Sequence, residues 1–210
     1  MYGILISLGI LISTLYCDQL SKKKGLNPDI LWESLFIGLI FGIIGARLYH
    51  VLDLFSFYSQ DPVKIFQIWN GGLGIYGSLF AGISAFIIYL KIKKESVLNW
   101  LDIAAVGIPL AQGIGRWGDY FSKELLPYAF YESFFDIILF LILASLIKQK
   151  KVKVGITFSS YLIGYGIIRF SLEGIRQGVW TIYGINVASF ISLILIITGL
   201  YLIYAFSKNA

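Results

Sequence analysis

Apolar runs of membrane-crossing length recur along this chain, and lysines close every second one. Crossing a hydrocarbon core of about 30 Å takes roughly 20 consecutive apolar residues as a helix. Seven runs approach that length: residues 2–20, 30–53, 71–92, 97–118, 128–147, 155–175 and 184–206. The whole chain is 58% apolar and only 14% charged, against roughly 25% charged in soluble domains. An all-α, polytopic membrane protein of seven spans is therefore expected. The 210 residues form one membrane domain in this reading, with no repeat and no linker that would divide it.

Lysines give the orientation. Lys22, Lys23, Lys24, Lys91, Lys93, Lys94, Lys148, Lys150, Lys151, Lys153 and Lys208 close the odd-numbered runs. With seven spans they all fall on one side, which the positive-inside tendency makes cytoplasmic. The N-terminus is then outside and the C-terminus inside. No Lys or Arg precedes the first run, so it reads as a retained helix rather than a cleaved signal peptide. Residues 54–70 form an outer loop with a short surface helix around 63–69. Gly38 and Gly42 in the second run, and Gly74, Ser78 and Gly82 in the third, are spaced to form smooth helix-packing faces.

The arginines behave differently. Arg47, Arg116, Arg169 and Arg176 are the only four, and all lie near the outward ends of the even-numbered runs. Topology would leave that face poor in positive charge. Arginine's planar fork suits a phosphate because it offers two donors at once. An outward-opening site for an anionic group, most simply a lipid phosphate, follows. The stretch Gly113-Ile114-Gly115-Arg116-Trp117-Gly118-Asp119-Tyr120-Phe121-Ser122-Lys123-Glu124 is its centre. Gly115 and Gly118 leave the backbone bare around Arg116, and charge at this depth is expensive unless it is used. A helix end anchored at the interface by Trp117, Tyr120 and Lys123 is the plainer alternative.

Other chemistries find little support. One His and one Cys do not make a usual zinc site, and there is no phosphate-binding Gly-x-x-x-x-Gly-Lys-Ser/Thr loop. No metal, no cofactor and no nucleic-acid partner are expected. Lone Cys17 excludes an internal disulfide.

The order of motifs resembles the prolipoprotein diacylglyceryl transferases. They are Gly45-Ala46-Arg47-Leu48-Tyr49, Gly71-Gly72-Leu73-Gly74-Ile75-Tyr76-Gly77, Asp102, Gly115-Arg116-x-Gly118-Asp119-Tyr120, Glu124, Pro127-x-x-x-Tyr131-Glu132, and Tyr165-Gly166-x-x-Arg169-Phe170-x-x-Glu173. The resemblance implies a seven-span enzyme of the bacterial plasma membrane whose site opens to the outer leaflet. It implies transfer of a diacylglyceryl group from phosphatidylglycerol to the lipobox cysteine thiol of a preprolipoprotein, the first step of lipoprotein maturation. The family pattern carries Asn where Asp119 stands and His where Tyr76 stands. Its outer head segment shrinks here to Leu125 and Leu126.

Under that resemblance Arg116, Arg169, Glu173 and Tyr76 form the catalytic set. Arg47, Asp119, Glu124, Asp102, Tyr165, Glu132, Gly115 and Gly118 are the substrate-binding set. Arg116 and Arg169 hold the phosphate. Glu173, one turn from Arg169, either orients it or acts as base. Tyr76 is expected to donate a hydrogen bond, since a free tyrosine's usual pKa near 10 exceeds a thiol's near 8.5 and makes this residue type a poor base. His50 offers another base. Asp102 and Glu132 orient neighbours, and Asp136 is expected to pair within the bundle. A non-catalytic lipid- or partner-binding relative and a small transporter are the alternatives.

Overall fold

The computed structural model describes residues 2–122, 126–176 and 179–208. Among them eight α-helices account for nearly all regular structure: α1 Tyr2–Lys23, α2 Pro28–Asp53, the single turn α3 Phe55–Tyr58, α4 Ile75–Ile92, α5 Val97–Phe121, α6 Tyr128–Leu146, α7 Ile156–Leu172 and α8 Val187–Lys208. Six of them, α1, α2, α4, α5, α6 and α8, are long and apolar enough to cross a membrane. Much of their apolar surface lies bare, Phe80 being 80% exposed. A surface of that kind needs lipid or protein to cover it. The chain is a polytopic membrane protein. Helix α7 has 17 residues and continues as a 3-10 turn, Glu173–Ile175.

Two elements begin later than the sequence suggested. The third run enters its helix only at Ile75, because Gly71 and Gly72 hold φ of +83° and +76°, a left-handed conformation that interrupts a right-handed helix. The last run starts its helix at Val187. Before it, β1 Thr181–Ile182 and β2 Ile185–Asn186 pair antiparallel, with Tyr183 and Gly184 at positive φ between them. The surface helix expected around 63–69 is present as two 3-10 pieces, Pro62–Phe66 and Ile68–Asn70.

The chain forms two compact units, Asn27–Val97 and the remainder. In the first, α2 and α4 meet along the small-residue faces. A Cβ added at Gly42 would lie 3.2 Å from Ser78 Oγ, and one at Gly82 would lie 3.1 Å from the Gly38 carbonyl oxygen. Closest of all, a Cβ at Gly77 would overlap the Gly45 carbonyl. Small residues permit this backbone approach, which is what drives helix association where lipid is as apolar as leucine. Gly77→Val should therefore cost about 1–3 kcal/mol through overpacking. A lowered melting temperature of the purified protein in detergent would show it. Gly3→Ala, where nothing lies within 4 Å, should not lower it.

Within the same unit Arg47 is only 7% exposed and donates to loop carbonyls. Its partners are Ile65 at 2.8 Å, Gly71 at 2.7 Å, Gly72 at 3.0 Å, and Lys64. Its face also lies over the Tyr58 ring at 5.0 Å. The guanidinium thus gathers residues 58–72 around itself.

In the larger unit, α1 packs on α5 through Gly9, whose added Cβ would lie 2.8 Å from the Ala111 oxygen. Ser133 of α6 donates to the Gly113 carbonyl of α5 at 2.7 Å. Gly166 and Gly199 seat α7 against α8, with Ser192 and Ser159 carbonyl oxygens 2.9 and 2.7 Å from the added Cβ atoms. These contacts hold the C-terminal ends of α5 and α7 and the N-terminal end of α6 at one level.

Candidate active site

Helix α5 carries Arg116 and Asp119 in its last two turns. Helix α6 carries Tyr128 in its first turn and Glu132 one turn later. Helix α7 and its 3-10 extension carry Arg169 and Glu173, and Arg176 follows. These three helices thus bring six charged side chains and one phenol together.

Tyr128 is the hub. It is 1% exposed, and three guanidinium carbons surround its ring: Arg116 at 5.9 Å, Arg169 at 5.4 Å and Arg176 at 5.7 Å from the centroid. Each distance is within the roughly 6 Å at which a ring quadrupole attracts a cation. Arg169 Nη1 also donates to the Tyr128 hydroxyl.

Among the described residues, carboxylates hold two of the three arginines. Arg116 Nη1 donates to Asp119 Oδ2 at 2.9 Å. Its Nε meets Glu132 Oε2 as an ion pair, without the alignment of a hydrogen bond. Arg169 Nη2 lies 2.9 Å from Glu173 Oε2. Glu173 Oε1 accepts from Asn186 Nδ2 at 3.3 Å, tying the site to the residue before α8. Asp119, Glu132 and Glu173 have side chains 5%, 1% and 3% exposed. Buried acids so placed fix the angles of the guanidiniums. Tyr165 stacks on Tyr161, centroids 5.8 Å apart, within electrostatic range of Glu132, Arg169 and Arg116.

The structure thus assembles Arg116, Asp119, Glu132, Tyr165, Arg169 and Glu173. Gly118 is buried beside them, while an added Cβ at Gly115 would meet only Ile6, at 3.7 Å, an ordinary contact. Asp102 stands elsewhere, at the opposite end of α7. Its carboxylate accepts from the Gly155 N–H at 2.7 Å and the Phe158 N–H at 2.8 Å. Gly155 is the N-cap and has no side chain to satisfy those donors, so Asp102 supplies the cap from α5. Arg47 and Tyr76 belong to the smaller unit, where Tyr76 lies 6.4 Å from the Tyr49 ring. Glu124 lies outside the described residues. Asp136, expected to pair within the bundle, is wholly buried with neither carboxylate oxygen hydrogen-bonded. It sits one turn beyond Glu132, whose charge Arg116 already takes.

Sequence reasoning missed Tyr128 and gave Arg176 no role of its own. A tyrosine opening a membrane helix reads as an interfacial anchor. The signal that could have raised it is its place four residues before Glu132, on the same helix face.

The described residues contain no cluster of three or more His, Cys, Asp or Glu side chains able to hold a metal. Residues 1–205 match the family model for prolipoprotein diacylglyceryl transferase. A phosphatidylglycerol–prolipoprotein diacylglyceryl transferase of Staphylococcus haemolyticus is 37% identical over 96% of this chain and 82% of its own length. Its counterpart in Symbiobacterium thermophilum is 35% identical over 99% and 88%, and that of Staphylococcus aureus 34% identical over 96% and 83%. Matched over nearly its whole length, the chain belongs to the prolipoprotein diacylglyceryl transferase family.

Proposed function

We propose that the chain transfers a diacylglyceryl group from phosphatidylglycerol to the lipobox cysteine of a prolipoprotein, at the arginine cluster around Tyr128. The observation that carries this reading is the convergence of three guanidiniums on one buried ring. In the reaction the cysteine sulfur bonds to the glycerol carbon as that carbon's bond to the phosphate oxygen breaks. The thiol proton is lost, and glycerol phosphate leaves with the bonding pair. Negative charge therefore grows on the phosphate, and preorganised cations away from water stabilise such charge most effectively. The same cations favour the thiolate over the thiol. Glu132 and Glu173 keep the guanidiniums aimed. A transfer assay with purified protein, labelled phosphatidylglycerol and a lipobox peptide tests the reading, and absence of labelled peptide would refute it.

The orientation proposed with it puts the N-terminus and the arginine cluster on the outer side of the plasma membrane. That needs α7 to serve as a seventh span. Its 17 residues rise about 25 Å at 1.5 Å per residue, at the short end of the spanning range. Lysines at the C-terminal ends of α1, α4 and α8 and just after α6 support this arrangement. Impermeant thiol reagents should label Lys64→Cys on intact cells, in a Cys17→Ser background, and Lys150→Cys only after permeabilisation. The reverse pattern would put the site on the cytoplasmic face and rule the proposal out.

A further inference from the structure

Independently of the transferase reading, we infer that the lysine-bearing end of the larger unit holds the headgroup of an anionic phospholipid, its phosphate on Lys24 and its free hydroxyls toward Asp102 and Thr157. With Asn99, Ile147 and Lys153 these residues line a cavity of about 140 Å³. It opens where α1 ends, α5 begins, α6 ends and α7 begins, a helix length away from Tyr128 and Arg169. One water needs roughly 10–15 Å³ of such volume, so a small polar group has room. Thr157 is the sign that one belongs there. It is 1% exposed, and its hydroxyl has no hydrogen-bond partner among the described residues. A helical hydroxyl can satisfy itself on the carbonyl four residues back, as Ser159 does on Gly155 at 2.7 Å. Thr157 does not. A buried polar group left in this way marks an ordered water or a bound ligand.

The other polar groups define what fits. Each oxygen of the buried Asp102 carboxylate accepts one backbone N–H, and a carboxylate oxygen has a lone pair for a second donor. Lys24 stands within electrostatic range of that carboxylate, yet has no ion pair with it or with any other described acid. Lys153 donates to the Phe206 and Ser207 carbonyls at 3.3 and 3.0 Å and keeps a third N–H. Both lysines are exposed, while Asp102 and Thr157 are buried. Cationic donors thus lie at the rim and acceptors deeper in. A phosphate oxygen only accepts and favours charged donors, whereas an alcohol also donates. A phosphate ester carrying free hydroxyls matches both halves. Lys22, Lys23, Lys150 and Lys151 flank the lining residues in the chain. Lysines at a membrane surface draw anionic lipid, and basic pockets between membrane helices seat headgroups. A zwitterionic headgroup would bring its own ammonium into that positive field.

The test compares wild type, Lys24→Gln and Thr157→Val, each purified into phosphatidylcholine nanodiscs. Melting is followed across titrations of phosphatidylglycerol, phosphatidylethanolamine and soluble glycerol phosphate. Phosphatidylglycerol is expected to stabilise wild type. The amount needed for half the effect should rise about fivefold in Lys24→Gln, the worth of one lysine beside anionic lipid. In Thr157→Val it should rise about twofold to tenfold, the range for one neutral hydrogen bond. The arginine cluster is the same in all three proteins, so the differences between them report the cavity. In phosphatidylcholine alone Thr157→Val should melt no lower than wild type, because valine removes only an unsatisfied hydroxyl. A lower melting temperature there would make Thr157 a structural residue and overturn the inference. The KM for phosphatidylglycerol in transfer to a lipobox peptide should be unchanged in both variants. Variants that respond to phosphatidylglycerol as wild type does would leave the cavity to water alone and overturn the inference. Phosphatidylethanolamine as effective as phosphatidylglycerol would overturn it too, since charge would then have no part. Stabilisation by glycerol phosphate with none by the lipid would put a soluble ester in the lipid's place. A wild type that labels no peptide would refute the transferase reading and leave the lipid shifts, and the inference, standing.

Discussion

Arg169→Lys is expected to lower diacylglyceryl transfer about a hundredfold at saturating phosphatidylglycerol, and Arg116→Lys by a similar factor. Charge is preserved in both, so the loss isolates geometry. Arg169 reaches Tyr128 through Nη1 and Glu173 through Nη2 at once, and a single ammonium has no fixed fork with which to hold both. Arg116 likewise divides Nη1 and Nε between Asp119 and Glu132. A cation displaced from its aim no longer meets the charge developing on the leaving phosphate. Removing one preorganised donor of this kind costs roughly 3 kcal/mol or more, which at 1.36 kcal/mol per tenfold is about two orders of magnitude in rate. Single-turnover transfer of labelled lipid to a lipobox peptide measures it. A wild-type rate in either variant would show that arginine to be a helix-bundle tie and nothing more.

How far this site could be read from the chain alone depended on how the membrane narrows the choices. Lipid leaves little room for charge, so four arginines set apart from the lysines were already a pointer. Three of them, Arg116, Arg169 and Arg176, do meet at one ring. The glycine faces of α2 and α4 were legible for a related reason. Small residues repeating at helical spacing have few uses in a bilayer other than close packing, and Gly38, Gly42, Ser78 and Gly82 are in contact as that spacing implies.

What escaped was tertiary or conformational. Gly71 and Gly72 looked like the first turn of an apolar run, since nothing in hydropathy reports a positive φ. The small β1–β2 ribbon took the start of the last run, because Ile185 reads like the helix it precedes while its pairing with Ile182 is invisible to hydropathy. Asp102 reads in sequence like another charge for the site. Only the packing of α5 against the start of α7 reveals that it caps a glycine-led helix. Arg47 joined the arginine pattern by position, yet its donors go to carbonyls of its own neighbouring loop. Which acceptor a guanidinium chooses is set by backbone paths, and sequence spacing does not encode those paths.

Glu132 and Arg116 offer the sharpest separation of stability from catalysis. Glu132 is 1% exposed and its ion pair with Arg116 is the most buried of that arginine's contacts. Glu132→Leu alone leaves Arg116 with only Asp119 in a water-poor setting. Breaking a buried pair from one side costs about 3–5 kcal/mol, and with Asp119 remaining the lower end of that range is expected. Replacing both partners, Arg116→Met with Glu132→Leu, removes the orphaned charge and fills the space with apolar volume. Such double replacements are often neutral or stabilising, so the melting temperature in detergent should recover most or all of what the single variant lost. Transfer activity should not recover, because the cation that frames the phosphate is gone. A double variant that is stable and still transfers lipid at the wild-type rate would remove Arg116 from the chemistry. A Glu132→Leu single variant as stable as wild type would instead show that Asp119 alone satisfies Arg116, and that Glu132 is there to aim the guanidinium rather than to hold the helices together.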